Sequence, residues 1–140
     1  GNVLGDTALA AIGACADRRI WCFDGDGAAI MHMGGMAIVA SKAPKNYVHI
    51  VFNNGVHDSV GGQPTVGLDI DLCAMAKAVG YKVAYSTDNK VELISILGSV
   101  KKQNGPSIVQ VCVKKGNRKD LGRPTTTPVQ NKEALMEFLK

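Results

Sequence analysis

The sequence is short of three features that would each point to a class of partner. Aromatic residues make up only 5% of the 140 residues, so side chains on which nucleic-acid bases could stack are scarce. No apolar run approaches the roughly 20 residues that a membrane-spanning helix needs. Charge of one sign is not in strong excess either, since the net charge is +4. We therefore expect neither nucleic acid nor a membrane as a partner, and the mild positive charge suits an anionic small molecule.

The sequence also has no CxxC pair. Its four cysteines are widely spaced, and at least two of them lie in apolar, strand-like runs; they are Cys15, Cys22, Cys73 and Cys112. This spacing favours buried, reduced thiols over metal ligands or disulfides. We therefore expect a cytoplasmic protein.

What the sequence does contain is an alternation of short β-rich runs with longer segments of helical period. This alternation predicts an α/β fold in which a parallel sheet is covered by helices on both faces. The length fits one domain over residues 1–140. The predicted strands are residues 19–23, 47–52, 81–86 and 107–113, and the predicted helices are residues 8–16, 28–41, 69–79 and 89–102, with a last helix from Pro128.

Residues 23–35, FDGDGAAIMHMGG, place two carboxylates among glycines directly after a predicted strand. A dinucleotide-binding GxGxxG motif would need glycine where Ile30 stands, a calcium loop would need an acid or Asn at Ala28, and a phosphate-binding GKS or GKT is missing. A helix start attracts anions, whereas the Asp26 carboxylate repels them. A Mg²⁺ ion bound by Asp26 and bridging to phosphate oxygens would reconcile the two.

A second protein ligand for such a metal is expected from a neighbouring strand end. The next predicted strand ends in Asn53-Asn54-Gly55, and the segment 53–67 that follows it is rich in loop-forming residues. Parallel strands bring their carboxyl ends to one edge of the sheet, where open α/β sheets bind ligands. Asp26 and the two asparagines should therefore lie close together.

This pair of motifs, strand-GDG-helix followed by strand-NN, resembles the motif of the thiamine diphosphate enzymes. The resemblance implies that Mg²⁺ is bound by Asp26, Asn54 and the main-chain carbonyl of Val56. It further implies the PP-type domain of that family, which binds the cofactor diphosphate, with these further cofactor contacts: Gly25, Gly27, Ala28, Ala29 and Gly55. The alternative to a metal and cofactor site is that these segments are simply a Gly-rich turn and an Asn-Gly turn that bind no ligand.

Three segments resemble the phosphonopyruvate decarboxylases, with sulfopyruvate decarboxylases as near relatives. They are GDGAAIMHMGGMA, NNGVHDSVGGQPTV and RKDLGRPTTTPVQNKEALMEFL. The resemblance implies a carboxy-lyase that converts the 2-oxo acid phosphonopyruvate to phosphonoacetaldehyde and CO₂ in phosphonate biosynthesis. A sulfopyruvate decarboxylase subunit, another 2-oxo acid decarboxylase and an isolated, non-catalytic cofactor-binding module are the alternatives.

His57 and Asp58 directly follow the expected metal loop, so they are candidate catalytic residues that contact substrate or relay a proton. A polar loop that hydrogen-bonds to itself is an equal alternative. The basic segment, residues 114–123, could attract an anionic substrate, although charge runs in loops more often form a solvated face. Its cationic residues are Lys114, Lys115, Arg118, Lys119 and Arg123. We interpret His49 as structural and His32 as a core or interface residue.

Members of the resembled family build each active site between two domains, usually from two subunits, and the second domain supplies a glutamate that activates the cofactor. We find no such pyrimidine-binding domain in this sequence. We therefore expect a partner domain or subunit, in a homo- or hetero-oligomer. The N-terminal region departs from the family pattern, because the segment from Gly13 to Arg19 is a few residues shorter than expected.

Overall fold

The computed structural model describes residues 13, 17–116 and 118–140. The predicted helix at residues 8–16, apart from Gly13, lies outside the described residues, as do Leu4 and Cys15. Within the described part of the chain, no helix combines the length and the apolar character needed to cross a membrane.

The centre of the fold is a parallel four-stranded sheet in the order β1-β2-β6-β5. Its strands are β1 (Ile20–Gly25), β2 (Tyr47–Asn53), β5 (Val83–Thr87) and β6 (Ser107–Cys112). A separate antiparallel pair is formed by β3 (Val56–His57) and β4 (Gln63–Pro64), with a 3₁₀ turn at Asp58–Val60 between them. The segment that the sequence predicts as a loop therefore contains a short hairpin.

Helices cover both faces of the sheet, as the sequence predicts. On one face, alternate residues of β2 such as Tyr47 and Val51 pack in a cluster with Met36, Leu72 and Ala76. On the other face, Val48 and Ile50 pack with residues of a different helix, including Ile96 and Val100. Because β2 is buried on both faces, it reads as a nearly continuous apolar run. The predicted α/β class is confirmed.

The helices are α1 (Asp26–Met31), α2 (Met33–Lys42), α3 (Leu72–Val79), α4 (Lys90–Val100) and α5 (Pro128–Phe138). The last two helices have side-chain caps: the Asn89 side chain accepts from the main chain at the start of α4, and Thr127, which the sequence indicates as a cap before Pro128, forms a capping box with Gln130.

Two predicted helix bounds are wrong. The helix predicted at residues 28–41 begins instead at Asp26 and is interrupted at His32, whose φ of −114° and ψ of 31° lie outside the helical range. Gly34 and Gly35, both weak helix formers, follow that interruption. The helix predicted from residue 69 begins at Leu72, because the Asp71 side chain caps it by accepting from the main-chain N–H of Ala74 at 2.8 Å.

Candidate functional site

Asp26 lies at the carboxyl edge of the sheet, where β1 turns directly into α1. It is the first residue of that helix and is only 1% exposed. The hydroxyl of Thr65 donates a hydrogen bond to its carboxylate. A Cβ atom added to Gly67 would lie 2.5 Å from the Asp26 Oδ2, so the main chain runs directly over the carboxylate. The segment around Thr65 therefore fixes the position of a buried negative charge.

Asn53, the last residue of β2, is part of the same packing. Its fully buried side chain donates to the Gly67 carbonyl at 2.5 Å and accepts from the Gly55 N–H at 3.2 Å. The added Cβ at Gly67 would also lie 2.8 Å from the Asn53 Oδ1, so the oxygens of Asp26 and Asn53 both border one point beside Gly67. Asn53 thus anchors the loop that covers Asp26.

Asn54 faces the other way from its neighbour, toward the hairpin. Its Oδ1 accepts from the Val56 N–H at 3.1 Å, and its amide donates to the Asp58 carboxylate at 2.8 Å. An amide oxygen has two lone pairs, so Oδ1 can accept this bond and still bind a metal. The turn therefore presents Asn54 and Val56 as a unit.

One open cavity of about 970 Å³ brings Asp26, Asn54 and Val56 together. Their oxygen donors, a carboxylate, an amide and a main-chain carbonyl, are of the type that Mg²⁺ prefers, so these residues fit that metal. Further predicted site residues line the same cavity: Gly25, Gly27, Ala28, His57 and Asp58. The other two do not line this cavity. Ala29 is on the side of α1 that is buried in the core, and Gly55 packs against Leu68.

The His57 ring packs directly over Gly27. A Cβ on Gly27 would lie only 2.1 Å from the ring Cε1, so this contact needs a residue without a side chain. Both residues line the cavity beside the start of α1. The packing places an imidazole next to the helix start that the resemblance assigns to the diphosphate.

Asp58 joins two loops at the cavity wall. Its Oδ2 accepts from the Asn54 amide at 2.8 Å and from the main-chain N–H of Gly116 at 2.9 Å. Gly116 belongs to the basic segment, so Asp58 ties that segment to the turn that carries Asn54. This geometry suits a positioning residue.

The basic segment reaches the cavity with some of its cationic residues. Lys114, Arg118 and Arg123 line the cavity, and Arg118 also pairs with Asp120 at 3.1 Å on the exposed side. The cavity therefore combines a buried carboxylate at its base with positive charge at its margin. Such a site can bind a metal and attract an anionic molecule.

Sequence reasoning missed Thr65, Gly67 and the anchoring role of Asn53. The Asn53-Asn54-Gly55 motif contains Asn53, but the contact of Asn53 with Gly67 depends on the path of the hairpin between them. A threonine between Pro64 and Gly67 gives no signal along the chain that it will contact a carboxylate 39 residues away. Asp24, the other carboxylate of residues 23–35, hydrogen-bonds to His49 at 2.9 Å, and His49 is buried as expected of a structural residue.

Comparison with known proteins supports the fold and the cofactor. Residues 2–111 match the family described as "Thiamine pyrophosphate enzyme, C-terminal TPP binding domain", thiamine pyrophosphate being another name for thiamine diphosphate. The transketolase structure from Campylobacter jejuni matches with a TM-score of 0.59 at 21% identity, covering 79% of this chain and 19% of that one. At this identity the likeness concerns the fold.

Two curated relatives are decarboxylases. The phosphonopyruvate decarboxylase of Streptomyces viridochromogenes is 36% identical over 99% of this chain and 35% of its own length. The sulfopyruvate decarboxylase subunit beta of Methanothermobacter thermautotrophicus is 31% identical over 72% of this chain and 52% of its own length. The chain thus spans about a third of the length of the Streptomyces enzyme. Because residues 2–111 match this family, the chain belongs to it: it is a member of the C-terminal, thiamine pyrophosphate-binding domains of thiamine pyrophosphate enzymes.

Proposed function

We propose that this chain is the diphosphate- and metal-binding part of a thiamine diphosphate-dependent decarboxylase that converts phosphonopyruvate to phosphonoacetaldehyde and CO₂, in phosphonate biosynthesis. The proposal rests mainly on the cavity that gathers Asp26, Asn54 and Val56 beside cationic side chains of the basic segment. The similarity to a Streptomyces phosphonopyruvate decarboxylase supports the choice of substrate.

In this proposal Asp26, Asn54 and the Val56 carbonyl would hold Mg²⁺, which would supply positive charge to offset the repulsion between the Asp26 carboxylate and the cofactor diphosphate. Thr65 keeps the Asp26 carboxylate in place through its hydroxyl. When bound, thiamine diphosphate supplies the carbanion-stabilising chemistry that decarboxylation of a 2-oxo acid requires. The chain's own task is to bind and orient.

The substrate carries a carboxylate and a phosphonate, so it needs positive charge near the cofactor. Lys114, Arg118 and Arg123 line the cavity and can attract such a dianion. His57, at the cavity wall beside Gly27, can hold or move a proton at its imidazole nitrogens. Asp58 orients Asn54 and the basic segment in this scheme.

The proposal includes a pyrimidine-binding domain or subunit that completes the active site and supplies the activating glutamate, in a homo- or hetero-oligomer. The naming of one relative as a beta subunit supports a division of that enzyme between polypeptides. We also propose a cytoplasmic location, consistent with the free thiols of Cys22, Cys73 and Cys112.

Calorimetric titration with thiamine diphosphate, with and without Mg²⁺, tests the cofactor site. We expect binding that depends on Mg²⁺ and is lost in Asp26→Asn. Asp88→Asn is a matched control, because Asp88 is an exposed carboxylate outside the cavity lining. Binding that is independent of the metal, or that Asp26→Asn leaves unchanged, would contradict the proposed metal site.

Substrate choice is tested separately, with the protein together with the domain or subunit that completes it. Release of CO₂ from phosphonopyruvate is compared with release from sulfopyruvate and pyruvate. A preference for sulfopyruvate would favour the second candidate function, that of a sulfopyruvate decarboxylase subunit, which the beta-subunit relative supports. Cofactor binding without turnover of any 2-oxo acid by the completed protein would instead indicate a non-catalytic binding module.

A further inference from the structure

A second group of ligand-type side chains lies outside the lining of the large cavity. Cys22 and Asp24 are on β1, and His49 is on β2, where it is the register partner of Cys22. Alternation along the two strands puts all three on one face of the sheet. One thiol, carboxylate or imidazole ligand atom from each residue lies within 4.8 Å of the others.

The polar atoms of this cluster are buried and only partly paired. The side chains of His49 and Asp24 are 4% and 9% exposed, and they share one hydrogen bond of 2.9 Å between Nε2 and Oδ2. Their other polar atoms, His49 Nδ1 and Asp24 Oδ1, are buried without a hydrogen-bond partner among the described residues. Because buried polar atoms are nearly always paired, two orphaned atoms in adjacent side chains need an explanation.

A small cavity adjoins these atoms. Its volume is about 20 Å³, and Cys22, Asp24, His49 and His32 are among the residues that line it. A space of this size is sufficient for a single water-sized particle. The small cavity, the two unpaired polar atoms and the three ligand-type side chains therefore lie at the same place in the fold.

We propose that Cys22, Asp24 and His49 form a binding site for a single zinc-like transition-metal ion, separate from the Mg²⁺ site. Sulfur and nitrogen donors favour zinc, whereas Mg²⁺ prefers oxygen alone. Tetrahedral zinc bonds of about 2.0–2.3 Å place neighbouring ligand atoms about 3.3–3.8 Å apart, so the observed cluster needs only small side-chain adjustments. The small cavity provides a fourth position for water.

The site has a structural consequence for the cofactor cavity. The metal would join β1, an edge strand of the described sheet, to its neighbour β2. Asp24 lies near the end of β1, two residues before Asp26, so the metal would fix the end of the strand that positions Asp26. The spacing of Cys22, Asp24 and His49 along the sequence does not indicate this site, because the three residues lie on two strands whose register is set only by folding.

Zinc and cobalt titrations of the full chain test this site. The reduced protein is first stripped with a chelator, and we expect it then to bind one equivalent of Zn²⁺. Cys22→Ser and His49→Gln should each weaken Zn²⁺ binding by more than about 100-fold, since loss of a residue that only hydrogen-bonds to a metal ligand already costs about 10–100-fold. Cys112→Ser, a matched cysteine variant outside the cluster, should keep full affinity. Zn²⁺ binding that survives Cys22→Ser, or no binding at all, would overturn the proposal.

Three further measurements keep the test independent of variant folding and of the cofactor site. In the unmodified chain, Zn²⁺ should slow alkylation of Cys22 but not of Cys112, as read by peptide mass spectrometry, and Co²⁺ should give a thiolate-to-metal absorption band. Equal alkylation of Cys22 with and without Zn²⁺ would overturn the site. Asp26→Asn should abolish Mg²⁺-dependent cofactor binding while Zn²⁺ binding persists, which separates this proposal from the proposed function.

Discussion

The Thr65 hydroxyl donates a hydrogen bond to the carboxylate of Asp26, across a separation of 39 residues. The same hydroxyl accepts from the Gly67 N–H at 3.1 Å, and the Thr65 N–H donates to the Gly55 carbonyl at 2.9 Å. Thr65 therefore connects the buried acid, the covering loop and the turn after β2. The candidate metal ligands depend on this connection for their relative positions.

Thr65→Val removes the hydroxyl while keeping the volume and shape of the side chain. A hydrogen bond to a charged group contributes about 1.5–3 kcal/mol, so we expect Mg²⁺-dependent thiamine diphosphate binding to weaken about tenfold or more. Calorimetry measures this change directly. Thr126→Val, at an exposed threonine outside the cavity lining, serves as the control and should leave the affinity unchanged. Equal affinities for the two variants would show that Thr65 does not position Asp26.

Gly67→Ala should destabilise the fold and impair the site together. The new Cβ would lie 2.5 Å from the Asp26 Oδ2 and 2.8 Å from the Asn53 Oδ1, neither of which can move without losing buried contacts. Overpacking of this kind costs about 1–3 kcal/mol in the free energy of unfolding, which denaturant titration measures. Gly98→Ala in α4 is the matched control, because no atom lies within 4 Å of its added Cβ. Helix propensity makes that control neutral or slightly stabilising. Equal stability of the two variants would contradict the packing described.

Gly27→Ala should weaken cofactor binding by displacing the His57 ring, since the Cβ would lie 2.1 Å from its Cε1. The clash should cost about 1–3 kcal/mol in the free energy of unfolding, partly offset by the higher helix propensity of alanine at this position in α1. In a double-mutant cycle, His57→Ala should remove most of that cost, because the clash disappears with the ring. Independent, additive effects of the two substitutions on stability would rule out the ring contact as the reason for a glycine at position 27.

The sequence was sufficient to predict that Asp26 and Asn54 would border one cavity. That prediction depends only on parallel strands, whose carboxyl ends meet at one edge of the sheet. The contacts of Thr65 and Gly67 could not be predicted, because they depend on how the β3–β4 hairpin folds back over Asp26. The pairing of Asp24 with His49 likewise depends on the register between β1 and β2, which chain order does not reveal. The chemical roles of His57 and Asp58 stay predictions.

The basic segment offers a test of substrate attraction with internal controls. Lys114 and Arg123 line the cavity, whereas Lys115 and Lys119 do not. We expect Lys114→Gln and Arg123→Gln each to raise the KM for phosphonopyruvate severalfold in the completed enzyme, and more at low salt, because charge attraction is screened by salt. Lys115→Gln and Lys119→Gln change the net charge equally and should have little effect. Equal effects of all four would indicate general charge attraction without a substrate contact.

Stability should fall at alkaline pH because four acidic groups keep their protons in the folded chain. Burial, the largest cause in each case, raises the pKa of the Cys22 and Cys73 thiols above 9.0 and that of the Tyr47 and Tyr81 hydroxyls above 10.0. The unfolded chain releases these protons near the ordinary values, so above about pH 9 it binds fewer protons than the folded chain, and stability declines as pH rises.

Denaturant titrations between about pH 7 and 11, with a chelator present so that the Cys22 thiol stays metal-free, measure this decline. Each tyrosine should contribute up to about 1.4 kcal/mol per pH unit once the pH exceeds about 10. The double variant Tyr47→Phe, Tyr81→Phe should lose the steep part of the decline, since neither phenylalanine can ionise in the unfolded state. Tyr85→Phe replaces a less buried tyrosine and should keep the steep part. A stability that stays constant up to about pH 11 would contradict the raised pKa values of the two buried tyrosines.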